Sequence, residues 1–256
     1  MKIGEHPKMD KPEVCEFKNS VALILTYNRP GLLTKTVKSF LETTSNVPLH
    51  IFDDGSDLDK RIELNDLNNV AKVHLLSHMG FVQAWRSAFV FIRELREYDS
   101  VIMMEDDIVF AKGWLNILKR MQGGIADMGF LQGMTTCFRP HDIPQSVLMP
   151  LRGIQAYQSM AHSFHINLMP MAILDRLDIF DESARSVEKG KMGKGLDVYW
   201  VGNLAHRLSR ISFVSERSWA AHIGLESMVY AQGFGPYMHP GFNLVPELKK
   251  FEEEWK

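Results

Sequence analysis

The chain has 256 residues, 45% of them hydrophobic, enough for one large globular domain or one domain with a small appendage, and too apolar for a disordered chain. Its formal net charge of -2 gives no overall basic character, so bulk electrostatics supplies no drive toward nucleic acid. The two cysteines, Cys15 and Cys137, match neither a zinc spacing nor a disulfide framework and fit a reducing compartment.

The first twenty residues, MKIGEHPKMDKPEVCEFKNS, lack the apolar core of a signal peptide, and no later run approaches the roughly 18 apolar residues of a membrane span. The expectation is a soluble, cytoplasmic protein. Val21 to Leu25, VALIL, is a uniformly apolar, β-rich run suited to a strand covered on both faces. TYNRPG turns the chain, with Pro30 suited to a first helical position, and Leu33, Val37, Phe40 and Leu41 follow at helical spacing as a buried stripe. LHIF, Leu49 to Phe52, predicts a second strand stopped by the turn-forming DDGSD, where Asp57 reads as a helix cap. KVHLL, Lys72 to Leu76, predicts a third, followed by a helix marked by Val82, Trp85, Phe89 and Ile92. VIMM predicts a fourth, and Trp114, Leu118 and Met121 face inward from the next helix.

The second half is less regular. MGFL, HSFHINLM (His162 to Met169) and RISFVSE read as strands, the last leading into WAAHIG. Asp197 opens a helix with Val198, Val201, Leu204, Ala205 and Leu208 inward. RPHDIPQSVLMPLRG and EKGKMGKG read as loops, and the tail ends in a short amphipathic helix carrying Leu248, Phe251 and Trp255. The organisation expected is an N-terminal extension over 1–19, halves over 20–125 and 126–233, and a tail over 234–256.

Strand alternating with helix predicts an α/β fold, a mostly parallel sheet with helices on both faces, whose ligands bind beyond the carboxyl ends of the strands. TYNR, DDGSD, SHMG and EDD each follow a strand, so four polar groups gather on one rim. Glu105, Asp106 and Asp107 stand side by side there. Unit charges 4 Å apart interact by about 4 kcal/mol at an effective dielectric near 20, so solvent, basic partners or a metal ion must offset the repulsion. In an extended segment Glu105 and Asp107 share one side and Asp106 the other.

VALILTYNRPGLLTKTVKSFLETT, IFDDGSD, SHMGFVQAWRSAF and MMEDDIVFAKGWL resemble, in order and spacing, the nucleotide-binding half of GT-A-fold glycosyltransferases. The set is similar to the family-2 type, and the EDD form followed by G-W-L is similar to the inverting N-acetylglucosaminyltransferases. The resemblance spans about residues 20 to 122. The third segment departs from it, carrying His78 and Arg86 where the family-2 pattern has asparagines. The Golgi members carry a membrane anchor, so the resemblance combined with this chain implies a bacterial or viral-host cytoplasmic setting.

The resemblance implies a metal-dependent, inverting transferase that moves a sugar from a nucleotide-sugar donor, UDP-sugar above all, to a hydroxyl acceptor, either a saccharide or a modified nucleobase in DNA. A divalent cation, Mn2+ or Mg2+, held by carboxylate oxygens stabilises the departing diphosphate in such enzymes. By resemblance Asp107 is its direct ligand, with His222 in WAAHIG a further metal or phosphate ligand and Glu105 and Asp106 either nearer the ribose or behind the ligand without touching the ion. Thr26, Tyr27, Asn28 and Arg29 form the base and ribose wall, and Asp53 or Asp54 accepts the imide N–H of uracil. Arg86 reaches the base or diphosphate, or else makes a surface salt bridge. Asp197 is the implied general base; a helix cap explains it nearly as well, with Asp181 and Glu182 next in line. EKGKMGKG is either a lid over the diphosphate or a solvated linker, and His162 and His165 read as core or acceptor-wall residues. Two other classes compete: a nucleotide-sugar-binding protein without catalysis, and a nucleotidyltransferase, whose usual G-x-G-x-R loop TYNRPG does not match.

Overall fold

Apolar runs without polar alternation become strands covered on both faces. β1 (Ser20–Thr26) and β2 (Leu49–Asp53) are buried along their whole length, as is β4 (Ser100–Glu105) up to its last residue. β3 (Lys72–Leu75) lies at the sheet edge and is exposed at both ends. The computed structural model describes residues 17–123, 128–132, 147–158, 166–178, 208, 211–215 and 219–223 of the chain.

Among the described residues four α-helices follow strands: α1 (Pro30–Thr43), α2 (Leu58–Leu64), α3 (Phe81–Leu95) and α4 (Trp114–Gln122). Pro30 sits in the first turn of α1, where its missing N–H removes no helical hydrogen bond. α1 and α4 cover one face of the sheet, packing Leu33, Phe40, Trp114 and Leu118 against Ile24, Ile51 and Ile102. α3 covers the other, packing Trp85, Phe89 and Ile92 against Leu23, Phe52 and Met103. Consecutive residues of β1 and β4 therefore enter different cores, which is why the strands are apolar without alternation from Val21 to Leu25 and from Val101 to Met104. The inward stripe of α1 departs from expectation at one position: Leu41 is 41% exposed, and Thr36 is buried instead. Thr36 is the residue on the strand-facing side, where its hydroxyl accepts a backbone N–H from β5 (Ile108–Phe110).

The main sheet runs β3-β2-β1-β4-β9-β6-β10-β8-β7, with β6 (Met128–Gln132), β7 (Val147–Leu151), β8 (Ile154–Gln158), β9 (Ile166–Pro170) and β10 (Ile211–Ser215). β3, β2, β1 and β4 are parallel, and β9 inserts antiparallel between β4 and β6. Val147 to Leu151, expected within a loop, is a strand. It pairs with β8 through a hairpin whose Arg152 and Gly153 both have positive φ, the two-residue connection whose twist matches the strands. A second, two-stranded sheet joins β5 to β11 (Ala220–His222). No helix among the described residues is long and apolar enough to cross a membrane.

Candidate functional site

The parallel strands β1, β2, β3 and β4 end on the same rim, and the loops that follow them interlock. Asp106 and Asp107 occupy a turn between β4 and β5, so the expected alternation of the three acids does not hold. Turn geometry brings both carboxylates to the same partner, Arg29, at the end of the β1 loop. One terminal nitrogen of Arg29 lies 3.0 Å from Asp106 Oδ1, and the other donates to Asp107 Oδ2. The Thr26 hydroxyl donates to the remaining Asp106 oxygen at 2.7 Å. Asp106 and Asp107 are 4% and 2% exposed, and Glu105 is half-buried. In this structure a basic partner offsets the repulsion between the two turn acids. Burial drives the Asp106 carboxyl up to about 7 against the pull of Arg29, with Asp107 and Glu105 adding to the rise. The same acids hold the Arg29 guanidinium above its ordinary value despite its own burial.

The β2 loop is anchored from two sides. Asp53 accepts from the Ser56 backbone and hydroxyl and from Arg61 Nε at 2.9 Å, and it is fully buried. Asp54 accepts from the backbone N–H of Met79 at 2.8 Å and of Gly80 at 3.0 Å, the residues leading into α3. A carboxylate there also complements the positive end of the helix. His78 Nδ1 lies 2.9 Å from the Asp54 carbonyl and 3.2 Å from its carboxylate. Gly55 is required between them: its φ is +76, and a Cβ would meet the His78 backbone N at 2.3 Å.

Tyr27 and Asn28 tie the β1 loop to its neighbours. The Tyr27 ring stacks on His78, centroids 4.6 Å apart. Asn28, at φ 56, receives the Asp57 backbone N–H at 2.8 Å and donates to the Asp57 carboxylate at 3.1 Å, while its own N–H reaches the Ser56 hydroxyl at 2.7 Å. Asp57 does precede α2, but its side chain makes no cap hydrogen bond to that helix. Asparagine tolerates the left-handed conformation, and the Asn-Arg-Pro run after a strand is a trace of this clasp that sequence reasoning passed over. The Tyr27–His78 stack left no local signal because it joins segments far apart in the chain, and the Arg61–Asp53 pair, eight residues apart, forms only once the turn after β2 and α2 are in place.

His222 lies on β11, paired with Ile108, and the next residue, Ile223, donates its N–H to the Asp107 carbonyl at 2.7 Å. The structure thus brings Thr26, Tyr27, Asn28, Arg29, Asp53, Asp54, Asp106 and Asp107 into one connected rim and sets the backbone of His222 beside it. Glu105 closes β4 at that rim, and Arg86 is half-buried in the second turn of α3. Asp197, Asp181, Glu182, His162, His165, the EKGKMGKG loop and the C-terminal amphipathic segment lie outside the described residues. Among the described residues, no group of three or more His, Cys, Asp or Glu side chains is arranged to hold a metal ion.

No family model matches this chain, and no curated protein does. Solved structures do match by fold. The chain is similar to GalNAc-T7 with UDP, GalNAc and Mn2+, at a TM-score of 0.58 and 16% identity over 93% of this chain and 54% of that one. It is similar to residues 1–349 of TarS from S. aureus in complex with UDP-GlcNAc, at a TM-score of 0.57 and 13% identity over 91% of this chain and 64% of that one. A further structure of the same TarS segment gives 0.56 and 15% over 79% and 60%. The chain therefore spans just over half to about two thirds of the length of the structures it matches. The mixed sheet flanked by helices is the GT-A glycosyltransferase fold.

Proposed function

We propose that this protein is a glycosyltransferase that moves a sugar from a UDP-sugar to a hydroxyl acceptor, a saccharide before a nucleobase, with inversion. One observation carries the reading: four strand-end loops interlock on one rim of a GT-A sheet around a buried acid pair. Similarity to structures holding UDP and GalNAc, or UDP-GlcNAc, supports a nucleotide-sugar donor.

Asp107 supplies hard carboxylate oxygens of the kind a divalent cation takes, in a turn secured by the Ile223 N–H, and its pairing with Arg29 marks a place where positive charge is already held; the described side chains do not by themselves form a three-ligand group. In the proposed site Asp107 holds Mn2+ or Mg2+, and the neighbouring β11 supplies His222. Such a cation, when bound, stabilises charge on the departing diphosphate. Asp106 and Glu105 stand on the ribose side, and Thr26, Tyr27, Asn28 and Arg29 form the wall for base and ribose. Asp53 and Asp54 support that wall from within; an imide N–H reaches Asp54 on displacing His78, or Asp53 on displacing Arg61. Arg86 presents a fixed positive charge to the base or diphosphate, and Asp197 takes the proton from the acceptor hydroxyl.

The test is release of UDP from a panel of UDP-sugars in the presence of Mn2+. The expected outcome is slow hydrolysis without acceptor, abolished by Asp107→Ala and retained by Asp197→Asn, which loses transfer to acceptor instead. Donor binding with no turnover under any metal identifies a binding protein and overturns the enzymatic reading.

A further inference from the structure

Asp106 and Asp107 are nearly withdrawn from water, yet neither stands as an isolated charge, because the fork of Arg29 spans both. The Arg29 side chain is 18% exposed, so it retains access to the rim. A guanidinium on Asp107 Oδ2 opposes a divalent cation on the same carboxylate, since the two cations repel in a site from which water is largely excluded. Resting on the proposed role of Asp107 as cation ligand, we infer that Arg29 is the resident counter-cation of this acid pair and that a divalent cation enters by displacing its guanidinium from Asp107.

The geometry also says where the guanidinium goes. Its other nitrogen is held by Asp106, which Thr26 fixes from the opposite oxygen, so Arg29 pivots about Asp106 rather than leaving the rim. Arg29 is the N-cap of α1: its backbone is non-helical while its carbonyl accepts from the N–H groups of Leu32 and Leu33, and a pivot of the side chain leaves those bonds in place. After the pivot the N–H groups released from Asp107 would be free to donate at the rim. Planar, permanently charged donors there suit the oxygens of a nucleoside diphosphate, so the residue that guards the empty acid pair becomes a donor-positioning residue once the pair is filled.

The test is direct binding of Mn2+ alone, read from loss of the free-ion EPR signal, for the wild type, Arg29→Gln, Arg29→Lys and Asp107→Ala, with thermal unfolding in EDTA alongside. Displacement predicts that Arg29→Gln binds Mn2+ about tenfold more tightly than the wild type, because the ion no longer competes with a fixed charge. The same variant melts lower than the wild type in EDTA and recovers when Mn2+ is added. Arg29→Lys, which keeps the charge but loses the fork, falls between the two and carries the test if Arg29→Gln does not fold without metal. Equal or weaker Mn2+ binding in both Arg29 variants, while the wild type binds the ion and Asp107→Ala does not, overturns the displacement and leaves Asp107 a ligand. Mn2+ binding by none of the proteins, or unchanged binding by Asp107→Ala, overturns the displacement together with the metal reading of the site.

Discussion

Asp53 sees no solvent, and among the described residues its side chain is met by Arg61 and the two Ser56 donors. Removing the carboxylate leaves the half-buried Arg61 and the buried Ser56 donors without their acceptor, which is destabilising. Asp53→Ala is expected to lower stability by about 3 kcal/mol in urea unfolding, with Asp53→Asn milder because the amide oxygen still accepts from Ser56. Gly55→Ala should act differently. Its Cβ meets backbone rather than a flexible side chain, so His78 must move away from Tyr27. A loss of about 1 to 3 kcal/mol and weaker donor binding are expected, measured by thermal unfolding and UDP titration. The two aspartates of DDGS were legible as a rim motif, whereas their partners were not: His78 and Met79 reach Asp54 only after the chain has folded back, and Arg61 reaches Asp53 only from α2.

Among the elements, the β2–β3 pair carries a titrating device at the sheet edge. His50 Nδ1 lies 3.0 Å from His74 Nε2, and the stacked rings pack against Phe52 and Phe91. Burial, then His74 and Lys72, holds the His50 imidazole down to about 4. The folded-state value lies below the ordinary 6.5, so on acidification the unfolded chain takes up the proton first. Above about pH 6.5 this residue adds no slope, and between there and about pH 4 it costs the folded state on the order of a few kcal/mol. The gap in urea stability between wild type and His50→Gln is therefore expected to narrow as pH falls through that window. The β5–β11 ribbon serves the site instead. Thr36 and Ser39 of α1 accept the N–H groups of Ile108 and Phe110, and Ile223 secures the Asp107 carbonyl. Ile223→Pro deletes that last donor and is expected to reduce UDP-sugar hydrolysis at least about tenfold while costing little global stability, as compared by activity and urea midpoint.

For the whole molecule, the two faces of the sheet hold separate cores, Phe40 in one and Phe89 in the other. Phe40→Leu and Phe89→Leu share no partner, so each is expected to cost about 1 to 2 kcal/mol and the double variant their sum within about 0.5 kcal/mol. A larger coupling in urea unfolding would mean that the sheet transmits strain between its layers. The sequence by itself determined the layered α/β fold, the order of β1 to β4 and the gathering of TYNR, DDGSD, SHMG and EDD at one rim, because strand periodicity and loop position are local properties of the chain. It did not reveal β5, the β7–β8 hairpin or the exposure of Leu41, since a three-residue strand and a solvent-side leucine have no distinguishing local pattern. Only the tertiary structure decided that Asp106 and Asp107 turn toward one guanidinium instead of opposite faces. Which partner neutralises a buried charge depends on contacts between segments 77 and 78 residues apart, and no local periodicity encodes such a contact.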